Sequence, residues 1–181
     1  MGLIALSQGQ LDNALKSFEW AVAYSPEYAE AHNSLGAALQ ELKQFEKAKI
    51  SFKKAVALNP QYAQGLHNLA ILSEIINLQD EASEYYEKAL AVEPNYAEAY
   101  RNQSRTKKYK KNDPQIAQMQ SIYSNDNLTI SDKVHINFAL AKVNEDLGNQ
   151  KDFFKHLDGG SRLRKKQLNY NINETEEFHS S

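Results

Sequence analysis

The chain has 181 residues, 41% of them hydrophobic and 24% charged, with a formal net charge of −2. That length suits about one ordinary domain, and the balanced charge excludes a global field that would draw the protein to nucleic acid or a membrane surface. Cysteine is absent, which removes disulfides, thiol catalysis and cysteine-ligated zinc, and no apolar run approaches the ~20 residues of a membrane span.

The opening "MGLIALSQGQ" has neither the basic flank nor the long apolar core of a secretory signal, so a cytoplasmic location is expected. Apolar residues three and four apart predict helices near 2–8, 11–24, 29–42, 45–58, 63–76, 79–92 and 97–110. Between them one octet recurs: "SPEYAEAH" at Ser25–His32, "NPQYAQGL" at Asn59–Leu66 and "EPNYAEAY" at Glu93–Tyr100. Pro26, Pro60 and Pro94 stand 34 residues apart, a period that marks a repeat architecture. Proline cannot continue a helix, so each octet is expected to be a hinge between successive helix hairpins.

With Ala29 as position 1, small residues fall at 8 (Gly36), 20 (Ala48) and 27 (Ala55), with Phe52 at 24. They suit a close approach of two helix backbones, where larger side chains would overpack. The next unit repeats the pattern with Ala70, Ala82, Tyr86 and Ala89, and the preceding one with Ala14, Phe18 and Ala21. Counting further back puts Met1 at position 7, so the first helix is expected to lack its first turn and the chain to be a fragment.

Beyond Ala97 the pattern decays, with Gln103-Ser104 in place of Leu-Gly. Asp113-Pro114 is expected to open a short helix. Ser131 is expected to cap a helix that reaches Leu147 and stops at Gly148. A last helix should start near Gln150 and bury Phe153, Phe154 and Leu157. With Gly148 as position 15, Ala141 falls at 8 and Gly160 at 27, a degenerate version of the same unit. Gly159-Gly160 is compatible with a helix break or a close helix crossing, and the crossing is expected. The resulting organisation is repeats over 1–94, a degenerate repeat and connector over 95–128, a degenerate helix pair over 129–168 and a disordered tail over 169–181.

The spacing resembles the tetratricopeptide repeat (TPR). The resemblance implies an all-α fold, a TPR-type α-solenoid of stacked antiparallel helix hairpins whose first helices line a concave groove. In that family positions 2, 5, 6, 9, 12 and 13 of the first helix face ligand, which here selects Asn33, Gln40, Gln64, His67, Asn68, Glu74, Arg101, Asn102, Arg105 and Lys108 among others. Asn68 and Asn102 share position 6, and an amide there can pair with a peptide backbone of any sequence. The pair resembles the asparagine ladder of O-linked N-acetylglucosamine transferase repeats, interrupted by Ser34. Arg101, Arg105 and Lys108 are expected on one helical face, which suits an acidic segment.

A second resemblance lies over residues 95–175, in "YAEAYRNQSRTKKYKKNDPQIAQM", "HINFALAKVNEDLGN" and "GGSRLRKKQLNYNI". These are similar to the region joining the repeats to the catalytic domain in bacterial TPR sulfotransferases. The expected function is therefore a peptide- or protein-binding scaffold, the amino-terminal part of a sulfotransferase-like protein whose catalytic domain is absent here. Gly159-Gly160-Ser161-Arg162 follows a helical pattern, not the strand that a phosphate loop needs. The five histidines lack metal-ligand spacing, so no metal, cofactor or catalytic residue is expected. The alternatives are a cryptic sulfotransferase dependent on the sulfuryl donor PAPS, and RNA binding through a basic helix over 101–111, which carries six basic residues.

Overall fold

The computed structural model describes residues 8–179, with side chains described within 11–168. The expected helix near 2–8 therefore lies outside the described residues except for Gln8. Among the described residues there are nine helices and no strand. They fall into two compact units, the first ending at Pro94 and the second beginning at Asn95.

The first unit holds α1 (Gln8–Tyr24), α2 (Ala29–Glu41), α3 (Phe45–Leu58), α4 (Ala63–Ile75) and α5 (Gln79–Val92). Each packs on the next, and α2 also meets α4. In this unit the first two octets form the hinges between hairpins. At the second, the Asn59 amide closes α3 on Ala55 O, its side chain accepts from Gln61 N at 3.1 Å, and Pro60 ends the helix. Tyr28 and Tyr62 then stand just ahead of α2 and α4.

Within each hairpin the turn is one tight motif. Lys43 and Asn77 have φ of 57° and 59°, and the amides of Gln44 and Leu78 reach back to Leu39 O and Ser73 O, each at 2.8 Å. This is the Schellman closure, which satisfies carbonyls left open at a helix end. Asparagine tolerates the left-handed conformation well; lysine does so with more strain.

Alanine and aromatic positions build the core as the spacing predicts. Ala48, Ala55, Ala82 and Ala89 are fully buried, and Phe52 and Tyr86 fill the space beside them. A Cβ on Gly36 would stand 2.6 Å from the Phe52 ring, so the large aromatic at position 24 requires glycine at position 8 there. Lys49 and Lys53 on α3 both reach the Glu81 carboxylate on α5, at 2.6 and 3.3 Å, tying successive second helices together. The Lys49 hydrogen bond holds the Glu81 carboxyl below its ordinary pKa.

The second unit holds α6 (Ala97–Gln103), α7 (Pro114–Tyr123), α8 (Ile130–Asp146) and α9 (Gln150–His179). Helix α8 packs on α9, α6 and α7. Asp113 caps α7 through Gln115 N at 3.0 Å, with Pro114 at the first helical position. The cap of α8 is Thr129 rather than Ser131: its hydroxyl accepts from Asp132 N at 3.1 Å and donates to the Asp132 carboxylate at 2.7 Å. Thr129 lies three residues before the amide it serves, the reach an N-cap requires. Gly148 (φ 71°) ends the hairpin turn with the Schellman bonds of Lys43 and Asn77, Asn149 N reaching Asn144 O at 2.8 Å. Helix α9 runs unbroken through Gly159-Gly160, where a Cβ on Gly160 would stand 3.2 Å from Asn137 Cβ on α8, so the glycines serve a close crossing.

The expected helix over 97–110 is shorter in the structure. Helix α6 ends at Gln103, because Ser104 and Thr106 donate their hydroxyls to the carbonyls of Arg101 and Gln103, and the Arg105 and Thr106 amides tighten onto carbonyls three residues back. The chain is then anchored elsewhere. Lys107 pairs with Asp113 at 2.9 Å, and the Tyr109 amide donates to the Asp146 carboxylate at 2.9 Å while its ring is buried. The basic run 101–111 is therefore helical only as far as Gln103, and Arg101, Arg105 and Lys108 share no helical face.

Candidate functional site

The predicted site residues separate into two groups. In the first unit, Asn33 on α2 is buried, accepts from Asn68 Nδ2 at 3.0 Å and donates its own amide to the Tyr62 hydroxyl at 3.3 Å. Tyr62 in turn donates to the exposed Gln64 side chain at 3.4 Å. Burial first, then Glu30 and Tyr28, push the Tyr62 hydroxyl above its ordinary pKa, so it stays a protonated donor. Half-buried Asn68 thus lends one N–H to Asn33 and keeps its carbonyl oxygen and second N–H.

The other predicted positions of this unit turn inward. His67 is only 2% exposed and its ring sits 5.9 Å from that of Tyr86. Glu74 accepts from the Tyr86 hydroxyl at 3.0 Å, and Gln40 has a buried carbonyl oxygen without a hydrogen bond. Position 5 of the register is packing here, at both Asn33 and His67. The cause is the large aromatic side chain of the following hinge or helix, which covers it.

In the second unit, Arg101, Asn102 and Arg105 line a cavity of about 380 Å³ together with Glu98, Ser131, Val134, His135, Phe138, Arg164 and Gln167. Exposed Lys108 is not among its walls. The Arg101 guanidinium lies over the Phe138 ring, 4.2 Å from its centroid, a cation–π contact. Burial, then repulsion from Arg164 and Arg105, lower its pKa from the ordinary value, though arginine stays charged. Burial also lowers His135, with Glu98 and Asp132 opposing and Arg101 and Arg164 assisting. Sequence reasoning missed the α8 and α9 walls of this cavity. The signal was there once α8 and α9 are paired: Ser131, His135 and Phe138 repeat at helical spacing on α8, and Arg164 and Gln167 on α9.

Burial likewise lowers His156, which packs edge-on against Tyr123 and faces Asn137 Oδ1 at 3.2 Å, with Lys155 assisting and Asp152 opposing. Both histidines bind protons more weakly folded than unfolded, where the pKa is about 6.5. Their contribution to stability is complete above that value and is lost as the pH falls below it. Urea midpoints are expected to drop between pH 7.5 and 5.5, a range above ordinary carboxylate titration, and to drop less in His156→Gln. A midpoint constant or rising over that range would contradict the burial of these rings.

Among the described residues no three histidine, aspartate or glutamate side chains gather as a metal site. No helix among them is long and apolar enough to cross a membrane.

An all-α array of hairpins with a 34-residue period, hinge prolines and alanine-lined crossings defines a helical-repeat protein. Two models described as tetratricopeptide repeat match residues 1–63 and 63–96, together just over half the chain. The chain belongs to the tetratricopeptide-repeat family. Among curated proteins none matches it significantly. Of solved structures, MamA superposes with a TM-score of 0.63 at 21% identity, covering 91% of this chain and 94% of MamA. PilF of Pseudomonas aeruginosa superposes with a TM-score of 0.64 at 18% identity, covering 94% of this chain and 77% of PilF. The first TPR of Spaghetti (RPAP3), bound to the HSP90 peptide SRMEEVD, reaches 0.52 at 26% identity over 55% of this chain and 79% of its own. MamA and PilF establish a shared fold.

Proposed function

We propose that this chain is a binding scaffold that holds a peptide or protein segment of acidic character and performs no catalysis itself. The observation that carries the reading is the Asn33–Asn68 amide pair: buried Asn33 fixes the orientation of Asn68, whose remaining carbonyl and N–H suit a peptide backbone. The RPAP3 repeat with its bound peptide supports the mode of binding. The arginines of the second unit support the acidic preference. We assign the scaffold to the cytoplasm of a bacterial cell, as the interaction module of a sulfotransferase-like protein; the wording of residues 95–175 supports this.

The test is fluorescence anisotropy against a panel of capped acidic, neutral and basic peptides. Acidic members are expected to bind tightest. Asn68→Ala is expected to weaken every bound member alike, by about fivefold, because one hydrogen bond to backbone contributes ~1 kcal/mol whatever the side chains. Unchanged affinities in Asn68→Ala, with helicity intact by circular dichroism, would refute the amide as the recognition element.

A further inference from the structure

We propose that the cavity walled by Arg101, Arg105 and Arg164 is a binding site for a phosphomonoester dianion. Three guanidiniums face one carboxylate there, that of Glu98, leaving two positive charges in excess. Among the described residues no ion pair engages any of the three: Arg101 has only the Phe138 ring beneath it, and the one arginine in a salt bridge is Arg162, with Asp158. The cations are held together against their own repulsion by the packing of α6, α8 and α9.

The charge count selects the ligand. A carboxylate, a sulfate ester or a phosphodiester brings one negative charge and leaves the cavity half-compensated. A phosphomonoester brings ~1.5 to 2 charges on one centre, with three acceptor oxygens. Forked guanidiniums bind such oxygens in pairs, while the Ser131 hydroxyl and the Gln167 amide that line the same cavity offer neutral donors. The apolar wall of Val134 and Phe138 admits the carbon carrying the ester. The groups facing His135 are Glu98 and Arg101 on α6, Asp132 on its own helix and Arg164 on α9. A dianion placed among the arginines offsets Arg101 and Arg164 and adds to Glu98 and Asp132, and so raises the proton affinity of His135. The same chemistry arrives on a phosphorylated serine or threonine of a bound segment, or on a free phosphorylated small molecule. Only the first source rests on the scaffold reading above.

The experiment is NMR titration of the full chain at pH 7.5, following the arginine Nε–H signals and the His135 ring. The probes are phenyl phosphate, phenyl sulfate, and a degenerate phosphoserine peptide mixture with its unphosphorylated counterpart. Phenyl phosphate is expected to bind at least about tenfold tighter than phenyl sulfate, which has the same shape and one charge fewer. It should also raise the His135 pKa. Arg105→Gln and Arg164→Gln change exposed side chains and are each expected to weaken phenyl phosphate at least about fivefold with the fold intact. Equal affinity for phosphate and sulfate overturns the proposal, as does unchanged affinity in Arg164→Gln. Phosphopeptides that bind tighter than phenyl phosphate uphold it with a protein segment as the source. Phosphopeptides that bind no tighter uphold it with a small molecule as the source, and the scaffold reading then stands or falls on Asn68.

Discussion

Ala55→Arg is expected to lower the stability of the chain by about 3–5 kcal/mol in chemical denaturation, through overpacking combined with a buried, unpaired charge. Ala55 has no exposed surface, so a larger side chain there has no solvent to turn into. Its neighbour one turn back, Phe52, is itself closed over Gly36 with no spare room, so the ring cannot yield to an arginine stem. Lys47 on the same helix is exposed and forms no salt bridge among the described residues, and Lys47→Ala should stay within ~0.5 kcal/mol. Equal denaturation midpoints for the two variants would show the repeat register to be wrong.

Asp146→Ala should cost the second unit about 2–4 kcal/mol. The Asp146 side chain is 5% exposed and serves two partners: it accepts from the Tyr109 amide and from Lys142 Nζ, the latter at 2.8 Å. Its loss strands a buried backbone donor and releases the irregular segment after α6, which this bond anchors to α8. The Tyr109 hydroxyl is itself buried without a hydrogen bond, and burial pushes its pKa well above the ordinary value, so the amide is the polar group that ties this residue to α8. Amide exchange at Tyr109 should accelerate in Asp146→Ala while amides of α3 and α4 keep their rates. Glu145→Ala is the control, since Glu145 also reaches Lys142 but is 54% exposed, and it should change stability by less than ~1 kcal/mol. If the two variants shift stability alike, the Tyr109 anchor is not what holds the segment.

The candidate site was legible only in outline. The repeat register named Arg101, Asn102 and Arg105, and the structure brings those three into one cavity. The same register placed Asn33 and His67 in a groove, and both are packed away. A register carries the direction in which a helix faces, but not the size of the side chain that covers it, and here Tyr62 and Tyr86 do the covering. Lys108 failed for a different reason: helical spacing counts only while the helix lasts, and α6 ends at Gln103.

The sequence by itself determined the helices of the first unit, the hinges between them and the alanine-lined crossings. These follow from local causes: a proline lacks an N–H, an alanine is small wherever it stands, and a period of 34 repeats the same causes in the same order. Only the tertiary structure decided where the chain after α6 is anchored, and that Arg164 of α9 joins Arg101 and Arg105 around one space. Each of these depends on groups distant in the chain meeting at hydrogen-bond or van der Waals range. The Asp146 carboxylate takes the Tyr109 amide out of helical register, and the Gly160 crossing sets the depth at which α9 lies on α8. No local preference encodes such meetings, because they are settled by which buried donors and surfaces must be satisfied at once.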